Sequence, residues 1–256
     1  MKLMILPDSH CHYDYDNERF TALGRLIVEE RPDVLINLGD FADMSSLSSY
    51  DDGHASFEGR RYHKDVQIVI DAQEKLFQPI KDYNRKMHKA YRPRLELCIG
   101  NHEYRIVRAT EEDPKLEGTI SIQDLQYEKF GWSVHPFLES ITIGGIAFSH
   151  YFISGVASRP IGGESIGRTL CTKLHGSAVV GHNHVLDHAE RTIITGNKIF
   201  GLSAGCYVHH DFVEDWCRQS VKLWWRGVVI LDDLDGNGYY DSITALTQRK
   251  ILRDYL

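Results

Sequence analysis

The first forty residues of the chain hold an apolar run, a helical pattern and a second apolar run. Leu3 to Leu6 is short and apolar, as expected of a buried strand, and Val34 to Leu38 has the same character. Between them, residues 18–30 place apolar side chains at helical spacing, and Arg31-Pro32 ends that pattern. Strand, helix and strand in this order form a βαβ unit with parallel strands. The sequence therefore predicts an α/β fold.

The second half of the chain is predicted to be rich in β-structure. Ile141 to Ile143 and Ile146 to Ser149 flank Gly144-Gly145, a pattern typical of a β-hairpin. A short helix is predicted within residues 162–174. Further strands are predicted at Ala178 to Val180, Ile193-Ile194, Ile199 to Leu202, Val228 to Leu231 and Tyr239 to Thr244.

Residues 44–93 separate the βαβ unit from the next apolar strand, Leu95 to Ile99. The segment begins as a polar loop and continues as one or two amphipathic helices, with Pro79 as a break. Residues 60–96 carry a net charge of +5 within a protein of net charge −7. This basic stretch is either a solvated helix face or a flap beside an anionic substrate. We predict a single domain, residues 1–256, with a helical basic insertion at about 44–93.

Composition limits the class of protein. A chain of 256 residues that is 42% hydrophobic can bury a core without disulfides, and its acidic net charge argues against a surface that coats nucleic acid. Five scattered cysteines without a CxxC pair favour a reducing compartment. The N-terminal apolar run is too short for a signal peptide, and no stretch approaches the roughly 18 apolar residues that cross a bilayer. We therefore expect a cytoplasmic protein without a membrane partner.

Five polar clusters share one position, because each comes directly after an apolar strand. They are Asp8-Ser9-His10, Gly39-Asp40, Gly100-Asn101-His102-Glu103, His150 and Gly181-His182-Asn183-His184. Sites in open α/β sheets form outside the carboxyl ends of the strands, so these clusters should converge. Residues two apart in extended backbone point the same way, which would direct both members of each Asp-x-His or His-x-His pair to one site. A glycine before Asp40, Asn101 and His182 would allow each loop a sharp exit.

Seven side chains in these clusters are of types that bind transition metals. They are Asp8, His10, Asp40, Asn101, His150, His182 and His184. Two carboxylates, four imidazoles and one amide suit Mn, Fe, Zn or Ni rather than Ca or an iron–sulfur cluster. The set is too large for one ion, whereas two ions sharing a bridging carboxylate and water use it well. Ions about 3.5–4 Å apart can hold both the attacking and the leaving oxygens of a phosphoryl displacement. We predict two divalent ions, with Mn preferred.

The order Asp-x-His, Gly-Asp, Gly-Asn-His-Glu, a later single His and Gly-His-x-His resembles the calcineurin-like metallophosphoesterase family. The resemblance runs from Asp8 to His184. It implies a four-layer α/β/β/α sandwich of two mixed sheets. It implies one metal on Asp8, His10 and His184, a second on Asn101, His150 and His182, and Asp40 as the bridge. It also implies that His102 contacts the phosphate and helps to protonate the leaving oxygen. The residues alone do not separate the two metal sites.

The chain departs from individual branches of that family. In the protein Ser/Thr phosphatase branch the second motif continues to an arginine that clamps phosphate, whereas here Asp43 is followed by Met44-Ser45. The chain is short for the DNA-repair exonuclease branch and nearer in size to the small cyclic-nucleotide phosphodiesterases. Against the latter, residues 44–93 are long, and Glu103 stands where Asp is common.

The preferred interpretation is a phosphodiesterase acting on a nucleotide or nucleic acid, which includes nuclease activity. A hydroxide bridging the metals would attack phosphorus directly, with His102 and Asp40 in catalytic roles. A phosphomonoesterase with a small anionic substrate would use the same residues and is an alternative. A non-catalytic binding scaffold is a second alternative, disfavoured by the complete ligand set. His12, His54 and His209 lie outside the motifs and are candidates for substrate contact, although surface or core roles are more common for such histidines.

Overall fold

A computed structural model describes residues 1–49, 57–156, 158–212 and 220–256, so the candidate His54 lies outside the described residues. The helices are α1 Glu18–Glu30, α2 Tyr62–Lys86, α3 Tyr104–Glu112, α4 Ile166–Leu174 and α5 Gln248–Tyr255. The strands are β1 Leu3–Leu6, β2 Val34–Asn37, β3 Arg94–Cys98, β4 Ser133–His135, β5 Ile141–Ile143, β6 Ile146–Ser149, β7 Ile153–Ser154, β8 Arg159–Pro160, β9 Ala178–Val180, β10 Leu186–Thr192, β11 Lys198–Ala204, β12 Gly227–Asp232 and β13 Ser242–Thr247.

Two mixed sheets form the centre of the structure. The first has the strand order β13-β12-β1-β2-β3-β4, in which β1 to β4 are parallel and the β12 and β13 pairings are antiparallel. The second has the order β10-β11-β9-β6-β5, with parallel central strands and antiparallel edges. The predicted hairpin at Gly144-Gly145 is confirmed, since Ile143 pairs with Ile146.

Alternation along the strands divides the apolar side chains among separate cores. Met4 and Leu6 of β1 pack with residues of α1 and α2, whereas Leu3 and Ile5 face the second sheet. The helix α4 covers the outer face of the second sheet, and Ile166 is among its buried residues there. The resulting order of helix, sheet, sheet and helix confirms the four-layer α/β/β/α sandwich of two mixed sheets.

The carboxyl ends of the parallel strands meet at one edge of the molecule. In the first sheet Leu6 lies beside Asn37, and in the second Ser149 lies beside Val180. The two edges also touch each other, because the backbone N–H of His182 donates to Asp8 Oδ2 at 2.8 Å. Five loops therefore leave their strands within a small volume.

The helix α2 continues through Pro79, where the sequence predicts a break. Proline inside a helix lacks an N–H and crowds the preceding turn, which normally destabilises the helix. Here α1 packs directly against that turn because Gly24 has no Cβ. A Cβ at Gly24 would lie 2.3 Å from the carbonyl oxygen of Leu76 and 2.9 Å from Pro79 Cγ. Tertiary packing thus outweighs the local preference of the proline.

We expect Gly24→Ala to destabilise the protein by about 1–3 kcal/mol, because the added methyl forces α1 away from α2. The gain in helix propensity, about 1 kcal/mol, opposes this effect without cancelling it. Urea unfolding monitored by circular dichroism measures the difference. Gly176→Ala is the control, since a Cβ there would lie no closer than 3.9 Å to any atom beyond the adjacent residues. Equal stability of both variants would contradict the packing argument.

Apart from Lys75 in the middle of the helix, the basic residues of positions 60–94 lie toward the two ends of α2. Arg60, Arg61 and Lys64 lie at its N-terminus, and Arg60 Nη1 donates to the carbonyl oxygen of Ser45 at 3.0 Å, in the loop after β2. The basic residues from Lys81 onward lie toward the C-terminus of α2, which leads to the amino end of β3. That end is opposite the polar clusters. Only the first group is placed to form a flap, and both the flap and the insertion at 44–93 stay predictions.

Several predicted elements differ from those observed. The strand prediction at Ile193-Ile194 is wrong, because the strand in this region, β10, ends at Thr192 and both isoleucines lie beyond it. The strand predicted at Tyr239 to Thr244 is β13 and begins only at Ser242. The sequence pattern missed α3 and α5, because both are short and largely charged or polar. None of the described helices is long and apolar enough to cross a membrane. A cytoplasmic location stays a prediction.

Candidate metal centre

The strand-end clusters converge on one cavity of about 360 Å³. Its lining includes His10, Asp40, Ser48, Asn101, His102, Arg105, His182 and His184. Asp8 and His150 are fully buried and lie against this group. The structure therefore brings together all seven predicted ligands and His102.

Asp8, His10 and His184 form the first group of potential ligands. Asp8 Oδ2 lies 3.2 Å from His184 Nε2, and His184 Nε2 lies 3.2 Å from His10 Nε2. All three side chains are buried, so few waters compete for their donor atoms. One carboxylate and two imidazoles in contact can hold a transition-metal ion.

Asp40, His150 and His182 form the second group. His150 Nε2 lies 3.3 Å from Asp40 Oδ2 and 2.8 Å from Asn101 Oδ1. The ring of His182 packs 5.1 Å from that of His150, measured between centroids. The structure thus separates His182 and His184 into different groups, a division that the residues alone left open.

Asp40 lies between the two groups. Its Oδ2 is 3.3 Å from His150 Nε2 in the second group and 3.8 Å from His10 Nε2 in the first. The backbone N–H of His102 donates to Asp40 Oδ1 at 2.8 Å, which fixes the carboxylate in this position. A carboxylate so placed can bridge two ions.

Hydrogen bonds orient the imidazoles with their free nitrogens toward the cavity. His10 Nδ1 is 2.9 Å from Asp43 Oδ1, and His150 Nδ1 is 2.9 Å from the carbonyl oxygen of Leu38. Both partners accept, so the Nδ1 atoms carry the protons and each Nε2 of a neutral ring presents a lone pair. At His150 that lone pair faces two oxygen acceptors, Asn101 Oδ1 and Asp40 Oδ2. A cation shared among these atoms satisfies such an arrangement, and the donor set fits a divalent metal.

The electrostatics of the site agree with this fit. Burial lowers the pKa of His10 and the pKa of His182 to about 4, so both rings are neutral ligands at neutral pH. Burial also disfavours charge on His150, but the carboxylate of Asp40 outweighs it and raises the pKa of His150 to about 9. Positive charge beside the Asp40 carboxylate is therefore favoured, which agrees with a cation at this position.

The backbone at the ligands is left-handed rather than extended. The φ angles of His10, Asp40, His182 and His184 are 41°, 47°, 65° and 57°. Residues other than glycine seldom adopt this region, and each such residue costs on the order of 1–3 kcal/mol. The two-residue alternation expected for Asp8-Ser9-His10 is thus replaced by a tight turn. Strain concentrated at the ligands is typical of a functional site.

The glycines that precede the predicted ligands differ in their structural roles. Gly39 has a φ of 94° and makes a turn, as the sequence predicts. Gly100 and Gly181 do not have positive φ; they leave space for the carboxylates. A Cβ on Gly100 would lie 2.2 Å from Asp40 Oδ1, and a Cβ on Gly181 would lie 2.2 Å from Asp8 Oδ1.

Asp43 is a site residue that the sequence did not identify as one. Its fully buried Oδ1 lies 2.9 Å from His10 Nδ1 and 3.2 Å from His102 Nδ1. The carboxylate thus orients a predicted ligand, and together with the carbonyl oxygen of the same residue, 2.8 Å from His102 Nδ1, it orients the predicted proton donor. The signal available in the sequence is its place three residues after Asp40, in the same loop.

Glu103 fixes the two loops that carry Asp40 and Asn101. Its buried carboxylate accepts hydrogen bonds from the backbone N–H groups of Asp40, Ala42 and Gly100, at 2.9 to 3.0 Å. It also accepts from the hydroxyl of Tyr127 at 3.1 Å. Four donors stabilise this carboxylate inside the protein. Glu103 therefore positions the bridging residue without entering the cavity.

We expect Asp43→Asn to weaken metal affinity or turnover by about 10- to 100-fold, because outer residues that orient metal ligands have effects of this size. Manganese titration and steady-state kinetics measure the two quantities. Asp14→Asn is a control, since Asp14 is exposed and pairs only with a histidine outside the cavity, His12. Wild-type values for both quantities in Asp43→Asn would contradict this role.

Two of the candidates for substrate contact lie outside the cavity that the described residues line. His12 stacks on Tyr13 with a centroid distance of 4.4 Å, and its Nδ1 accepts from the backbone N–H of Asp14. His209 stacks on Tyr15 at 5.2 Å, and its Nε2 lies 3.5 Å from Asp16. The structure does not place either ring with the predicted ligands, and their contact with substrate stays a prediction.

The four-layer fold and a cavity lined by carboxylates and imidazoles are typical of metal-dependent phosphoesterases. A model of the calcineurin-like phosphoesterase family matches residues 1–245, and the chain belongs to this family. The family generally binds two divalent metal ions. One solved crystal structure is 12% identical in sequence to this chain and has a TM-score of 0.44. The alignment covers 96% of this chain and 98% of the chain in that structure. A search among curated proteins finds no match.

Proposed function

We propose that the protein is a binuclear metal-dependent phosphodiesterase that hydrolyses a nucleotide or nucleic-acid diester. The position of Asp40 between the two ligand groups carries the binuclear part of this proposal. Asp8, His10 and His184 would hold one ion, and Asn101, His150 and His182 the other. Manganese is the proposed metal, with Fe, Zn or Ni as alternatives that the same imidazole and oxygen donors would bind.

The metals and the residues around them would have separate roles in hydrolysis. A pair of divalent cations supplies hydroxide at neutral pH and neutralises charge on the phosphate. His102 lines the same cavity beside Asp40 and would donate a proton to the leaving oxygen. The carbonyl oxygen and the carboxylate of Asp43 lie 2.8 and 3.2 Å from Nδ1 of that ring, so Nε2 faces the cavity and, when the ring is protonated, would give its proton to the leaving oxygen.

Aromatic side chains beside the ligands support a substrate that carries a base. Tyr151 lies 4.8 Å from the ring of His182, and Phe137 packs against Tyr151 at 5.6 Å and against Tyr104 at 4.6 Å, all between centroids. All three aromatic rings are partly exposed. Rings in such a row can stack on bases, a contact worth about 1–3 kcal/mol per base.

A phosphomonoesterase is the second candidate, and one observation favours it. The guanidinium of Arg105 lines the cavity next to His102 and adds positive charge there. Additional positive charge suits the doubly negative phosphate of a monoester.

A comparison of substrates on the manganese-loaded protein tests the proposal. Hydrolysis of an aryl phosphodiester, an aryl phosphomonoester, cyclic nucleotides and single-stranded DNA is measured, with Asp40→Ala and His102→Ala alongside. We expect the diesters to be turned over and Asp40→Ala to lose that activity. His102→Ala should lose it for cyclic nucleotides and DNA, whose leaving alkoxides need a proton. Preference for the monoester would support the second candidate. Failure to hydrolyse any ester with Mn, Fe, Zn or Ni would overturn the enzymatic function and leave the binding scaffold.

A further inference from the structure

Arg105 is a buried cation in the wall of the cavity. It lies in the first turn of α3, three residues after His102, and is 9% exposed. Its Nη1 donates to the carbonyl oxygens of Asp43 and Met44, at 3.0 and 3.3 Å. Its Nη2 lies 3.2 Å from His102 Nε2, the nitrogen proposed to meet the leaving oxygen. The loop after β2 thus holds one side of the guanidinium and leaves the other at the cavity.

The charge of Arg105 has no carboxylate partner among the residues that the structure describes. The described ion pairs place no carboxylate oxygen within 4.0 Å of its nitrogens, and its hydrogen-bond acceptors are two carbonyl oxygens and an imidazole. Asp43 contacts Arg105 only through its carbonyl oxygen among the described hydrogen bonds. Its carboxylate points toward His10 and His102 instead. Burial of an unpaired guanidinium is costly, which indicates that an anion completes the site.

Geometry indicates the kind of anion. A guanidinium presents planar N–H donors that match the oxygens of phosphate. The Nη2 edge of Arg105 and the Nε2 edge of His102 reach the same part of the cavity that Asp40, Asn101 and His182 line. A phosphate centred there would meet the proposed metals on one side and Arg105 on the other.

We propose that Arg105 binds a non-bridging oxygen of the substrate phosphate and so orients the ester toward His102. This inference rests on the proposed phosphoesterase function and adds a substrate-binding residue to it. Arg105 would supply from α3 the guanidinium that the second motif lacks at Met44-Ser45.

Inorganic phosphate is the probe, and calorimetry on the manganese-loaded protein measures its binding without turnover. We expect Arg105→Ala to weaken phosphate binding about 10- to 100-fold, the range for a hydrogen bond to a charged group, with manganese content unchanged. Arg108→Ala is the matched control on the same helix, because Arg108 pairs with Glu112 at 3.6 Å and does not line the cavity. It should bind phosphate as the wild type does.

Rescue separates binding of phosphate from a purely structural role in the loop. Free guanidinium ion, at a concentration that does not denature the protein, should tighten phosphate binding by Arg105→Ala and leave Arg108→Ala unaffected. Should the alanine variant fail to fold, Arg105→Lys decides the question, and several-fold weaker binding is expected. Wild-type affinity in whichever of these variants folds would overturn the proposal.

Failure of the role of Arg105 and failure of the proposed function give different results. If the wild type hydrolyses no ester, the enzymatic proposal fails, yet weaker phosphate binding in Arg105→Ala would still place the anion at this residue. If the wild type is active and the variants bind phosphate normally, only the role of Arg105 fails.

Discussion

Asp40→Asn is expected to lower turnover more than about 100-fold and to reduce the manganese content of the protein. The substitution keeps the size of the side chain and an oxygen that can accept from the N–H of His102, but it removes the negative charge between the two ligand groups. Removal of a residue that only orients a metal ligand lowers metal affinity or activity by about 10- to 100-fold. Removal of a ligand shared by both ions should lower them further. Steady-state kinetics and elemental analysis of the dialysed protein measure both effects.

Asp14→Asn provides the matched control for Asp40→Asn, because its side chain is 69% exposed and lies outside the cavity lining. It should retain the wild-type rate and metal content. Wild-type metal content together with a wild-type rate in Asp40→Asn would show that Asp40 does not bridge.

His102→Ala is expected to lower turnover about 10²- to 10⁴-fold for esters of alkyl alcohols, the range for loss of general acid catalysis. The metal content should be unchanged, since His102 is not among the proposed ligands. The loss should be much smaller for nitrophenyl esters, because a nitrophenolate leaves without a proton. Rates for a series of leaving groups in both proteins measure this difference.

His63→Ala is the control for His102→Ala, because His63 is exposed on α2 and distant in sequence from every cluster. An equal loss for good and poor leaving groups in His102→Ala would contradict the role of proton donor. Loss of manganese in that variant would instead indicate that His102 is a ligand.

The sequence predicted the position of the site because of a general property of parallel strands. Apolar runs such as Leu3 to Leu6 and Ala178 to Val180 are recognisable as strands, and a polar residue after each marks its carboxyl end. Parallel strands bring those ends to one edge, so convergence did not require knowledge of the strand order. The order within each sheet, and the packing of one sheet on the other, arise from tertiary contacts that no local pattern records.

The residues that sequence analysis missed act through turns and packing. Asp43 reaches His10 and His102 only because the backbone at Asp40 and Met44 is left-handed, and Arg105 reaches the cavity only because a helix begins at Tyr104. That helix is short and largely polar, and Ile106 is its only buried apolar residue. Pro79 likewise stays inside α2 because α1 packs on it at Gly24.

The central claim is that Asp40 lies between two bound ions. Anomalous diffraction from a crystal soaked in manganese tests it most directly. We expect two peaks about 3.5–4 Å apart, one beside Asp8, His10 and His184 and the other beside Asn101, His150 and His182, with the carboxylate of Asp40 touching both. A single peak, or two peaks of which Asp40 touches only one, would contradict the account.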